Sequence, residues 1–205
     1  MEIVESFWTG VVETPVLEWF AVATGILYVV FAAKRHIICW LFALFSSLSF
    51  VYLCFTYQLY IETSLQLFFV VMAVVGWLSW RPGKNKNQPE EAVELKTWSV
   101  SIHLLNIVSS GVVAFLIGFA FDCWTDQANP YMDAFTTVFS LVATFMVTRK
   151  VLENWIYWVV IDFVSIFLYF SRGLYLSSLL YVVFTVLAVF GFFAWYNQYK
   201  TQTET

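Results

Sequence analysis

The sequence predicts an all-α membrane protein: seven transmembrane helices, arranged as two parallel three-helix repeats joined by one helix, a three-plus-one-plus-three plan. Three observations predict it. Hydrophobic residues make up 61% of the 205-residue chain and charged residues only 12%, where a soluble domain carries roughly a quarter charged. The apolar residues fall into seven runs, each near the roughly 20 residues that cross a hydrocarbon core about 30 Å thick. The landmarks of the first half return 115 residues later, as Gly76 returns at Gly191.

The first run, 16–33, follows an acidic segment (Glu2, Glu5, Glu13) without the basic start of a cleavable signal, so the mature chain is expected to keep it. Lys34-Arg35-His36 separates it from the second run, 37–56, and Tyr57-Gln58 separates that from the third, 59–80. Residues 81–97 then form the longest separator. Its Pro, Gly, Asn, Lys and Glu content predicts a mobile surface loop. The fourth run is 98–120; Asp122 to Pro130 lead to the fifth, 131–148. Arg149 to Asn154 precede the sixth, 155–170, and Ser171-Arg172-Gly173 the seventh, 174–196. The domain plan is a first repeat over 16–80, a linking helix over 98–120 and a second repeat over 131–196.

If seven spans alternate, nine of the ten basic residues share one side: Lys34, Arg35, Arg81, Lys84, Lys86, Lys96, Arg149, Lys150 and Lys200. Only Arg172 falls opposite. Cytoplasmic loops carry the excess of Lys and Arg, which predicts an N-terminus outside and a C-terminus inside. The net charge of −4 and the lack of a basic, aromatic-interleaved run exclude nucleic acid as a partner. Cys39, Cys54 and Cys123 fit no metal or redox spacing and read as reduced, packed thiols. No cofactor or metal site is expected.

The 115-residue offset holds without a gap from the basic loop to the end of the third span. It pairs Lys34-Arg35 with Arg149-Lys150, Trp40 with Trp155, Leu59-Tyr60 with Leu174-Tyr175, and Gly76 to Trp80 with Gly191 to Trp195. Three spans per copy would invert the second copy, and the lone fourth span restores its orientation. Parallel repeats are related by an axis along the membrane normal, with the substrate near mid-bilayer between the halves.

Through Cys39-Trp40, Gln66, Gly76-Trp77 and Trp80, then Asn154-Trp155-Ile156-Tyr157-Trp158, Asp162, Gly173-Leu174-Tyr175, Tyr181 and Gly191, the chain resembles the PnuC family of bacterial nicotinamide riboside transporters. The likeness runs from about Glu18 to Trp195. It implies a fold similar to that of the SWEET sugar transporters and facilitated diffusion of nicotinamide riboside across the bacterial inner membrane, with trapping by cytoplasmic phosphorylation. Related members look like carriers of thiamine, riboflavin or deoxynucleosides, so the substrate within that class stays open. The partners it implies are a small-molecule substrate and the bilayer, with room for a homo-oligomer.

The substrate-binding candidates are Trp40, Gln66, Trp77, Asn154, Trp155, Trp158, Asp162 and Tyr181. Trp155, Trp158 and Asp162 stand at i, i+3 and i+7, on one face of the sixth span. A flat cationic ring stacked there would gain a cation–π contribution, whereas an interfacial aromatic belt also explains Trp155. Asp162 lies deep in a span, where a carboxylate marks function by default: it can offset a cationic ligand, bind ribose hydroxyls or take a proton, and a structural hydrogen bond is the competing reading. At the paired position stands Ser47. Gln66 pairs with Tyr181, and its amide suits a neutral polar group or interhelical glue, with Glu62 one turn away. His103 and Asn106 share a face of the fourth span, with no role assigned. An enzyme would need clustered acid, base, nucleophile or metal ligands, which two scattered histidines do not supply. No phosphate-loop motif is present, which argues against ATP-driven pumping by this chain.

Overall fold

The computed structural model describes residues 15–56, 60–81, 95–125 and 129–204, with backbone alone at 60–62. Most of the predicted mobile loop, 82–94, and the side chain of Glu62 lie outside the described residues. Seven helices follow in order: α1 Val16–Ala33, α2 Cys39–Thr56, α3 Tyr60–Trp80, α4 Val100–Trp124, α5 Pro130–Thr148, α6 Asn154–Ser171 and α7 Tyr175–Glu204. Each is long and apolar enough to cross a membrane. The seventh outruns its predicted end at 196 because its polar tail keeps helical phase beyond the apolar run.

Three of the turns use one device. The helices α1, α5 and α6 end in residues of positive φ: Arg35 (55°), Lys150 (63°) and Gly173 (73°). In each the next N–H reaches back five residues, His36 to Phe31, Val151 to Met146 and Leu174 to Tyr169, all at 3.0 Å. These are Schellman closures, which satisfy the orphan carbonyls of a helix end. Pro130 begins α5 at a first-turn position where its missing N–H costs nothing.

Six helices close a ring. Neighbours pack in the order α1, α2, α3, α5, α6, α7 and back to α1, while the backbone of α4 approaches α5 alone. Within that order α2 faces α6 and α3 faces α7 across the middle. Outside the ring, α4 buries only Ser110, Ala114 and Gly118. A Cβ on Gly118 would stand 2.6 Å from the Tyr131 ring, so the missing side chain sets how closely α4 meets α5. Its remaining face, with Leu105 71% and Phe115 60% exposed, is dressed for lipid.

All described basic loops lie at one end. There the segment before α4 crosses the mouth of the bundle: Lys96 N–H donates to the Lys150 carbonyl (2.9 Å) and Leu152 N–H to the Lys96 carbonyl (2.8 Å). Gln202 of α7 accepts from Leu95 N–H at 3.2 Å. The opposite end carries the Arg172–Asp133 ion pair and the Tyr131 hydroxyl donating to Asp122 at 3.3 Å. Arg172 thus stands among acidic residues, at the end away from the other described basic residues.

Candidate functional site

At the basic end the ring is closed by tryptophans. Trp40 and Trp80 meet edge to face with centroids 5.3 Å apart, and Trp155 and Trp195 do so at 5.5 Å. Trp80 and Trp195, from helices on opposite sides of the ring, reach each other at 6.1 Å. The four form one chain of rings across the middle, each no more than 3% exposed. Each pair rests on a glycine: a Cβ on Gly76 would lie 2.3 Å from Trp40, and one on Gly191 2.6 Å from Trp155. A helix with alanine there would have to withdraw from the ring.

The inner two indoles also tie the halves together. Trp80 Nε1–H donates to the Val147 carbonyl at 3.3 Å and Trp195 Nε1–H to the Ala32 carbonyl at 3.0 Å. Ala32 and Val147 are themselves 115 residues apart, so the two bonds exchange under the offset that exchanges the tryptophans. Both acceptors belong to the last turns of α1 and α5. Leu95, 5% exposed, seals the cluster from the basic side.

The candidates Trp40, Asn154 and Trp155 therefore belong to a plug. Trp155 was expected to offer a ring to a ligand or to sit in an interfacial belt; in this conformation it is enclosed between Gly191 and Trp195. Asn154, fully buried, donates from Nδ2 to the Val151 carbonyl at 2.6 Å and holds the start of α6. Trp77 packs against the same cluster with the Arg81 guanidinium 5.9 Å from its ring centroid, a cation–π contact at the basic end. Sequence reading missed that Trp80 and Trp195 act as a closure; both stood as repeat landmarks and Trp80 also among the residues of the family resemblance, although their Gly-x-x-x-Trp spacing puts ring and glycine on one face.

Above the plug α6 turns an unlike face inward. Trp158, half-buried, covers the tryptophan cluster. Asp162 follows one turn on, 4% exposed, and Ser165 is 2% exposed with its hydroxyl donating to the Ile161 carbonyl at 2.9 Å. Tyr169, at i+7 from Asp162, stacks on Tyr181 of α7 with centroids 5.1 Å apart and planes 24° apart. The Tyr181 hydroxyl lies within electrostatic reach of Asp162. At 1.5 Å per residue Asp162 stands about 10 Å above the plug, and Tyr169 and Tyr181 about 21 Å above it. Gln66, half-buried on α3, is as far from Trp80 in sequence as Tyr181 is from Trp195, which sets it at the same height. Across the ring Ser47 of α2, 7% exposed, holds the position paired with Asp162.

The ring interior so assembled is aromatic and acidic. No Lys or Arg occurs in the seven helices before Lys200 near the end of α7. Such a face attracts a flat cation and repels a phosphate. His103, given no role from sequence, bridges α4 to α6: its Nδ1 lies 3.1 Å from the Tyr157 hydroxyl and its Nε2 3.8 Å from Glu153. Among the described residues no group of three His, Cys, Asp or Glu residues could hold a metal.

Comparison with known proteins finds a family of membrane transporters with this fold. The family described as Nicotinamide mononucleotide transporter matches residues 15–197. The nicotinamide riboside transporter PnuC of Escherichia coli (strain K12) is 30% identical over 206 residues, covering 88% of this chain and 86% of that one. The PnuC of Neisseria mucosa is 31% identical over 183 residues, 85% of this chain and 70% of the other. The riboflavin/roseoflavin transporter RibM of Streptomyces davaonensis is 29% identical over 131 residues, 62% of this chain and 61% of that one. The crystal structure of the vitamin B3 transporter PnuC superposes with a TM-score of 0.74 at 28% identity, over 97% of this chain and 88% of that chain.

Proposed function

This chain belongs to the nicotinamide mononucleotide transporter family, and from that premise we propose that it carries nicotinamide riboside by facilitated diffusion, with cytoplasmic phosphorylation trapping the product. The family is one of multi-pass membrane transporters, so the chain is not an enzyme. The observation that carries the substrate is the pairing of Asp162 with an aromatic interior free of cations. Nicotinamide riboside is a flat pyridinium cation with a neutral ribose; a carboxylate in low dielectric offsets its charge, and rings stack on it. A mononucleotide adds a phosphate for which the interior offers no Lys or Arg. Riboflavin, the substrate named for RibM, lacks the positive charge.

Trp158 and Asp162, with Tyr181 and Gln66 farther up, line the binding path in this reading. The tryptophan plug closes the path toward the cytoplasm, and Trp40, Trp77, Asn154 and Trp155 meet the substrate only when the plug opens. The protein sits in the bacterial inner membrane with its basic end cytoplasmic, which puts the N-terminus outside. The two halves, 16–80 and 131–196, work as parallel repeats about an axis through the plug; the exchanged indole bonds and glycine contacts support this. One buried carboxylate favours a second reading, proton coupling through Asp162. A relay ordinarily needs a chain of Asp, Glu or His, and Asp162 has no second such residue at its depth in the ring among the described residues, so the passive reading is preferred.

The test is uptake of labelled nicotinamide riboside into vesicles holding only the purified protein, with and without a pH gradient. Internal ligand should rise to the external concentration and stop there in both cases. Accumulation above that level with the gradient alone would establish proton coupling, and preferential uptake of thiamine or riboflavin would reassign the substrate.

A further inference from the structure

The ring has two seams where one half meets the other, α1 against α7 and α3 against α5. Each opens outward as a groove, and the chain treats the two differently. The α3/α5 groove, about 300 Å³, takes Trp98 and Asn106 from the α4 side among its walls. The α1/α7 groove, about 400 Å³, has walls from those two helices and from Lys34 just past the end of α1, and no part of α4 reaches it. Its lining is apolar along Val29, Val30, Leu187 and Phe190 and polar only at the basic end, at Lys34 and Gln198.

We infer that this groove is a binding site for an acidic phospholipid of the leaflet facing the basic end, with an acyl chain along the apolar wall and the phosphate at Lys34. Lys34 is exposed and has no acidic partner among the described residues. Arg149, at the paired position in the second half, is instead drawn over the Phe145 ring at 5.3 Å. Gln198 brings a buried amide atom, Oε1, that no protein group satisfies among the described residues. That oxygen accepts, so it suits a headgroup hydroxyl such as those of phosphatidylglycerol, while the amide nitrogen of the same side chain can donate to an ester or phosphate oxygen. Phe190 is 66% exposed at the groove's rim, as a side chain lying against an acyl chain would be. Groove polarity thus changes from apolar to cationic in the order a phospholipid presents, read from tail to headgroup. The α1/α7 seam is one of the two packed seams between halves, so a lipid seated on it also biases how the halves move, whatever the substrate.

The test compares delipidated protein in neutral detergent, titrated with short-chain phosphatidylglycerol, with phosphatidylcholine of the same chains, and with glycerol phosphate alone. Native mass spectrometry counts the bound molecules and thermal melting reads the gain in stability. Phosphatidylglycerol should bind more tightly than phosphatidylcholine. Lys34→Gln should remove roughly fivefold of that preference, the factor expected of one basic residue at a lipid surface. Lys200→Gln should leave it, and Ala194→Phe, which fills the groove, should abolish the bound lipid. Retained preference in Lys34→Gln, or equal binding of the two lipids, overturns the proposal. So does binding of glycerol phosphate as tight as that of the lipid, or disulfide capture of a second copy through Phe190→Cys in place of lipid.

Discussion

The two halves of the ring agree at the basic end and part company above it. Trp40, Gly76 and Trp80 repeat as Trp155, Gly191 and Trp195, with edge-to-face centroids of 5.3 and 5.5 Å and an indole bond from each half to the other. One and two turns higher, Ala43 stands opposite Trp158 and Ser47 opposite Asp162; farther up, Gln66 stands opposite Tyr181. Closing a ring symmetrically needs the same residue from each side. Binding an asymmetric ligand, charged at one end and hydroxylated at the other, needs different ones. In the proposed reading, likeness marks the scaffold and difference marks the site.

Substitutions in the scaffold should cost the same in either half. Trp80→Ala and Trp195→Ala each remove a buried indole and its bond to the other half, a loss of about 3 to 5 kcal/mol for truncating a large aromatic. Denaturant titration in detergent should give values within about 1 kcal/mol of each other. A large inequality would mean that the plug leans on one half. Next in size, Gly76→Ala and Gly191→Ala press a methyl into the Trp40 and Trp155 rings and should destabilise by about 1 to 3 kcal/mol. Gly111 of α4 meets nothing within 4 Å of a built Cβ, so Gly111→Ala should be neutral or raise the melting temperature slightly.

Above the plug the halves should respond unequally. Trp158→Ala should weaken nicotinamide riboside binding by about 1 to 3 kcal/mol, the range for stacking on an aromatic side chain. Trp158→Phe should restore part of it. Isothermal titration on folded, monodisperse protein makes the measurement. Unchanged affinity in Trp158→Ala would return this residue to packing over the plug.

Much of the fold was readable because hydrophobic length is a coarse signal: each of the seven runs became a helix, with ends moved by a few residues except at the last, whose polar tail stays helical to Glu204. The turns at Lys34-Arg35 and Arg149-Lys150 were legible as basic separators, but the left-handed conformation of Arg35 and Lys150 was not, since residues of that type give no hint of positive φ. The site was harder. Depth in a span singled out Asp162, and helical spacing placed Trp158 beside it. Spacing alone could not tell an indole that faces a pathway from one that fills it, and Trp40 and Trp155 are enclosed in this conformation. Which way they face depends on glycines 36 residues further along the chain, Gly76 and Gly191, a tertiary contact invisible to a local pattern. Tyr169 was within reach, because it follows Asp162 by seven residues on the same face.

The most direct test of the division between shared scaffold and unlike site is a matched pair at one height in the ring, Asp162→Asn and Ser47→Ala. Binding of nicotinamide riboside to each purified variant should fall sharply in Asp162→Asn, by about 1 to 3 kcal/mol as a charge-assisted contact is lost. It should stay within about 0.5 kcal/mol of the parent in Ser47→Ala. Equal losses in both variants, or a loss confined to Ser47→Ala, would contradict the account.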